Sequence, residues 1–253
     1  SIDSSSLSQK CVSVFVECLD SLFVKQDTSV LKTVVMVSDL MNLVTAGYLN
    51  DSINIRLIGV NVWDTPDPYT NAPNKYGILD DLASHNKDSF WGNMLIGMDY
   101  RSERLGGLAF VGAIKGVFPG TCPAYAIKQN SSQGAVGYAD LNFSQNLQNF
   151  PSLPNVTGGQ VHVVMHEMGH LLGSHHTQWC GWKLSSNPDT YGAIDNCFPT
   201  EGGCPPGPPP VNGGTMMSYC GVSSLYYTDY NNGFGPLPGA TIRSFVRGMK
   251  CIN

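Results

Sequence analysis

The chain has little charge. Only 13% of its 253 residues are Asp, Glu, Lys or Arg, about half of the ~25% usual in globular domains. Fourteen basic residues against nineteen acidic ones leave a net charge of −5, and no run of five basic residues occurs. A surface that tracks nucleic-acid phosphates needs clustered positive charge, so nucleic acid is not expected as a partner. No stretch of about 18 consecutive apolar residues occurs, so no membrane span is expected. There is no Cys-x-x-Cys pair, which argues against a zinc knuckle or a thioredoxin-like redox motif. No internal repeat and no signal peptide is visible, and the first residue is Ser1, so the chain reads as a processed product or a trimmed piece.

What is present points to a folded, loop-rich protein. Hydrophobic residues make up 42%, too many for a disordered chain, and the length suits one large domain spanning 1–253. The 28 glycines and 16 prolines imply many turns and long ordered loops. Eight cysteines at scattered spacings (Cys11, Cys18, Cys122, Cys180, Cys197, Cys204, Cys220, Cys251) read as disulfides made in an oxidising compartment. Sequons at Asn50, Asn130, Asn142 and Asn155 are compatible with a secreted glycoprotein.

Periodicity supplies the elements. Residues 11–19 alternate and favour Val and Phe, so they read as a strand. Val30, Val34, Val37, Met41 and Val44 form a helical stripe over 28–46, with Asp27 or Thr28 as cap and Gly47 at its end. Residues 53–63 read as a strand whose apolar parity switches near Ile58–Gly59, which predicts a bulge. The proline-bearing stretch 64–77 reads as loop, with a short helix at 78–83 and strands at 94–98 and 106–112. A loop-rich stretch runs from there to about 157. An apolar helix follows over 160–172, then an irregular segment, 174–238, containing GGCPPGPPP (202–210). Ile242, Phe245, Val246 and Met249 predict a final helix. The order suggests an α/β upper half, 1–173, above an irregular lower half, 174–253, with a cleft between them.

Five of the six histidines fall in HVVMHEMGHLLGSHH (162–176). On a helix, His166 and His170 share a face and point two imidazoles at one metal. Gly173 can adopt the positive φ that ends the helix and turns the chain, which brings His176 back as a third ligand. Three histidines leave a fourth position for water, the mark of a catalytic zinc site. Glu167, beside His166, reaches that water as general base. A chance match to His-Glu-x-x-His-x-x-Gly-x-x-His in a chain of this length is rarer than roughly one in ten thousand. His162 reads as a packing or surface histidine, His175 is out of register with the ligands, and His85 is a surface candidate.

HEMGHLLGSHH (166–176) resembles the metzincin zinc endopeptidases, and GTMMSYC (214–220) resembles their methionine turn, with Met217 as the turn methionine and Met216 the alternative. Within that superfamily the chain is most similar to reprolysin or ADAM-like catalytic domains. It departs from them in having Thr177 after the third histidine and Cys220 after, not before, the turn methionine. The resemblance implies a mixed α/β (α+β) zincin fold: a twisted mixed sheet with helices above, and a disulfide-pinned lower part ending in a helix. It implies one catalytic zinc on His166, His170 and His176, with Glu167 as base. Tyr219 is placed like the tyrosine that approaches the metal in astacins and serralysins. The same resemblance makes Gly107, Leu108, Ala109, Phe110, Val111 and Gly112 an exposed sheet edge to which a protein or peptide substrate adds as a strand. It pairs Cys122 with Cys251 and leaves Cys180, Cys197, Cys204 and Cys220 as two pairs in the lower half. Cys11 and Cys18 on one extended strand lie about 23 Å apart and cannot pair there. A zymogen segment, which the resemblance also implies, would precede Ser1. Acidic residues are too scattered to assign a calcium loop.

The function expected is a secreted zinc endopeptidase. A catalytically silent binding or adhesion module stabilised by zinc is the alternative, against which the presence of Glu167 argues. A thermolysin-like enzyme with a downstream glutamate ligand is a third reading, opposed by Gly173 and His176.

Overall fold

The computed structural model describes residues 10–69, 74–86, 90, 92–114, 135–186, 188–222 and 225–249. Cys122, Cys251 and Asn130 lie outside them.

The first strand, β1 (Cys11–Cys18), buries alternate valines and sits inside a five-stranded sheet. It pairs in parallel with β2 (Asn54–Val62) on one side and β3 (Met94–Asp99) on the other. The bulge expected near Ile58–Gly59 is present: Val14 faces Leu57 but Phe15 faces Gly59, so Ile58 is the extra residue. A Cβ at Gly59 would run into the Phe15 ring, which lies across it.

Beyond β3 the sheet holds β5 (Val136–Asp140), parallel to β3, and then β4 (Gly107–Ala109), antiparallel at the edge. The strand expected over 106–112 is thus only three residues long. The chain leaves the sheet at Phe110, whose carbonyl accepts from Ala113 N–H, and turns at Gly112, where φ is +66°. β5 lies in the stretch expected to be loop. It is buried on both faces, so it shows no alternation for a sequence reading to detect.

Two helices connect the first three strands, after the short α1 (Asp20–Lys25), which was not expected. The long α2 (Val30–Asn50) is capped by Ser29, not by Asp27 or Thr28. It is long and apolar enough to cross a membrane by length and composition alone, but it packs as a core helix. Its buried stripe runs through Thr33, Met36, Val37, Leu40, Met41 and Val44, and Val30 at its start is exposed. Gly47 does not end it; there the Met165 side chain packs against the bare backbone. The second helix, α3 (Lys75–Asn86), is twice as long as the six residues expected.

The helix carrying the histidine motif, α4 (Gly158–Leu171), is buried along its whole length. Its start is a reciprocal cap: Thr157 Oγ1 accepts from Gln160 N–H, and Gln160 Oε1 accepts from Thr157 N–H. Tyr48 on α2 fixes its depth by donating to Met165 O at 2.9 Å.

The lower part contains more regular structure than expected. A hairpin of β7 (Trp182–Ser186) and β8 (Asp189–Gly192) lies among its loops, and β9 (Thr228–Asp229) pairs in parallel with the two-residue β6 (Leu147–Gln148) of the upper half. Disulfides Cys180–Cys204 and Cys197–Cys220 pin it, while Cys11 and Cys18 are free thiols on β1. The final helix, α5 (Pro236–Gly248), buries Ile242 and Val246. One cluster of buried apolar side chains runs from Val12 to Met249 and includes Met216, Met217 and the inner face of α4.

Loss of the α4 cap should be felt globally, because this helix crosses the core. Thr157→Ala is expected to lower unfolding stability by about 1 kcal/mol in a denaturant titration. A change within a few tenths of that unit from zero would contradict the role given to the cap.

Candidate metal centre and cleft

On α4, His166 and His170 lie one turn apart, with Nε2 atoms 3.2 Å from each other. Gly173, at φ +90°, ends the helix as expected, and the Phe245 ring of α5 packs on it so closely that a Cβ would crowd the ring. The reversed chain returns His176, whose Nε2 lies 3.0 Å from that of His170.

The other ring nitrogens explain why these three face inward. His166 Nδ1 is 2.8 Å from Met216 O, and His170 Nδ1 is 2.8 Å from Ser174 O. Carbonyl oxygens only accept, so both Nδ1 atoms carry the proton and both Nε2 atoms present lone pairs. His176 Nδ1 donates to Glu201 Oε1 at 2.6 Å. Burial pushes His166 well down and His170 to about 3, helped by the neighbouring imidazoles, so both rings are neutral. Lone pairs at this spacing repel one another unless a cation sits between them. Ligands of a tetrahedral zinc at 2.0–2.1 Å lie about 3.3 Å apart, close to the spacing found here. The donor set therefore fits zinc.

Glu167 follows His166 and is buried; one of its carboxylate oxygens has no hydrogen-bond partner. Burial raises its pKa to about 8, and the nearby Lys75 charge pulls against that rise. Its carboxylate lies against Gly107 of β4, where any Cβ would overlap it. A bound cation favours the ionised form and draws the value down again.

Met217 and Met216 are both fully buried. Met217 Sδ packs against α4 at Gly169, and its carbonyl accepts from Thr177 N–H, while Met216 supplies the carbonyl under His166. Tyr219 Oη is 3.1 Å from His176 Nε2, and its ring packs on His176 and Phe198. Burial, then the Glu167 and Glu201 charges, push its phenol upward, so it keeps its proton.

The remaining histidines divide as expected. His162 is buried, held neutral by burial with a pKa near 3, and bonded to Gln145. His175 stacks on Trp179 with ring centres 3.9 Å apart, and His85 is exposed beside Trp63 and Tyr69.

Glu201 was not anticipated. It comes from the irregular segment, and the Cys180–Cys204 bridge together with Cys180 N–H to Glu201 O anchors it beside His176. The available signal was thin: it is the only glutamate after Glu167.

Two cavities flank the centre. One, of about 180 Å³, reaches toward His162; the other opens toward His175 and runs under Gly107–Ala109. Of the expected edge, Gly107, Leu108 and Ala109 are half-buried on β4, Phe110 follows it, and Val111 and Gly112 form the turn that ties the strand to His170 O through Gly112 N–H.

A family profile described as reprolysin, metallo-peptidase family M12, matches residues 8–231. No curated protein sequence matches the chain. A solved structure described as a chaperone-substrate complex aligns over 96% of this chain and 35% of its own length, with TM-score 0.51 and 10% identity, a likeness of fold alone. Metalloproteinase-II from Bacteroides fragilis aligns over 67% of this chain and 44% of its own, with TM-score 0.38 and 13% identity. The chain spans about a third of the first of these proteins and under half of the second.

The Glu201 contact should matter to metal binding. Glu201→Ala is expected to weaken zinc affinity about tenfold to a hundredfold in chelator competition, with the fold kept. Unchanged affinity would show that His176 needs no carboxylate behind it.

Proposed function

The chain belongs to metallo-peptidase family M12, and on that footing we propose that it is a secreted, zinc-dependent endopeptidase that hydrolyses peptide bonds in proteins. The observation that carries this reading is the unpartnered Glu167 oxygen beside three convergent imidazole lone pairs. A purely structural metal site has no use for a buried carboxylate left without a partner. The two disulfides support an oxidising, extracellular setting.

His166, His170 and His176 would hold the zinc, which when bound would supply Lewis acidity to an attacking water and to the scissile carbonyl. Glu167 takes the proton from the attacking water and passes it to the leaving amine. Burial raises its proton affinity, and a bound cation opposes that rise and favours the ionised form that accepts a proton. Tyr219, protonated and beside His176, donates to the carbonyl oxygen as negative charge develops there. The peptide lies along β4, adding a strand to the free edge, so main-chain bonds hold it and side chains enter the flanking cavities.

Glu167→Gln should retain one zinc per chain and the wild-type melting profile, yet lose about a thousandfold in kcat on a protein substrate. Tyr219→Phe should lose about a hundredfold in kcat with KM little changed. Internal cleavage by the Glu167→Gln protein at the wild-type rate sinks the proposal.

A further inference from the structure

The cleft holds one cation for which the catalytic roles above have no use. Lys75 opens α3 and reaches across to β4, where its ammonium donates to Gly107 O at 2.9 Å. That carbonyl faces the free edge. Gly106 O already accepts from Asp140 N–H of β5, and main-chain groups alternate sides along an antiparallel strand. Lys75 thus occupies an acceptor that a peptide adding to β4 needs for one of its own N–H groups.

Its position is central to both sides of the cleft. Lys75 lines the cavity toward His162 and the cavity toward His175, with Glu167 between them. Among the described residues it is the only Lys or Arg lining either cavity, and it makes no ion pair. An ammonium has three donors, and Gly107 O takes one of them.

Apart from Lys75 and the Glu167 carboxylate, the described lining of the His162-side cavity is apolar or neutral. Leu105, Phe143, Val163 and Val222 are among its walls, and Gln145 bonds to the neutral His162 at 3.2 Å. At about 180 Å³ it exceeds the ~150 Å³ apolar cavity that holds a benzene ring, so a bulky apolar side chain fits. Recognition of a negative charge is left to Lys75, the one cation among the described lining residues. A neutral peptide has to displace Lys75 from Gly107 O and offers the ammonium only neutral carbonyl acceptors in exchange. A peptide with a carboxylate gives the ammonium a stronger, charge-assisted partner and frees the carbonyl for its own N–H.

Resting on the endopeptidase reading, we infer that Lys75 is a specificity-determining residue that selects peptides carrying a carboxylate beside the scissile bond. The carboxylate belongs either to an acidic side chain or to the free end of the chain, and the two sources separate by experiment.

Two matched peptide sets test this. One places Glu or Gln at each position flanking the scissile bond, with amidated ends; the other ends shortly after that bond as an acid or an amide. The readouts are kcat/KM for the wild-type enzyme and Kd, by fluorescence anisotropy, for zinc-loaded Glu167→Gln protein with and without a change at Lys75. The carboxylate member should be favoured about tenfold or more with Lys75 and with Lys75→Arg. The ratio should fall to about one in Lys75→Met and invert in Lys75→Glu. Lys75→Gln replaces the Met variant should that one fail to fold. A response in the Glu/Gln set assigns a side chain, and one in the acid/amide set assigns a chain end. Equal Kd and kcat/KM within both sets, or a preference that survives Lys75→Met, overturns the inference. Preferential binding without cleavage keeps it and removes the endopeptidase reading; cleavage without preference does the reverse.

Discussion

Three imidazole lone pairs pointing at one another are an unfavourable arrangement, and this protein devotes much of its fold to holding them that way. Each inward Nε2 is set by what the opposite Nδ1 donates to: Met216 O, Ser174 O and the Glu201 carboxylate. These acceptors come from three separate places. Met216 lies under α4 in the core, Ser174 is in the turn after Gly173, and Glu201 is held in the lower part by a disulfide bridge. Packing distant from the centre is therefore part of it. Phe245 of α5 rests on Gly173 and fixes the reversal that delivers His176, and Met217 fills the space against Gly169.

The same crowding sets the cleft. β4 approaches α4 so closely that position 107 has no room for a Cβ beside Glu167. A glycine there brings the free sheet edge and the buried carboxylate into one space. Lys75 bridges the outer side of that edge to α3, so the strand edge, the Glu167 carboxylate and the one cation among the described lining residues border the same few ångströms of cleft.

Much of this was legible in the sequence where local rules suffice. The convergence of His166, His170 and His176, with Glu167 beside them and Gly173 at the turn, follows from helical spacing and one φ requirement, and the β2 bulge from a switch in apolar parity. The four lower cysteines do bond among themselves, in the order Cys180–Cys204 and Cys197–Cys220. What was not legible depends on contacts far apart in the chain. β5 is buried on both faces and too short to show a period. The edge strand ends three residues early because Gly112 turns toward His170, a tertiary bond with no local mark. Glu201 and Lys75 lie in stretches read as loop, and only the folded chain brings them to the metal centre and the edge.

The central claim is a zinc held by three histidines with one position left open. Zinc K-edge X-ray absorption on the zinc-loaded protein tests it most directly. The account predicts three imidazole nitrogens at about 2.0–2.1 Å and one further light-atom ligand, with no sulfur. Sulfur scattering near 2.3 Å, or a shell closed by four protein side chains, would contradict it.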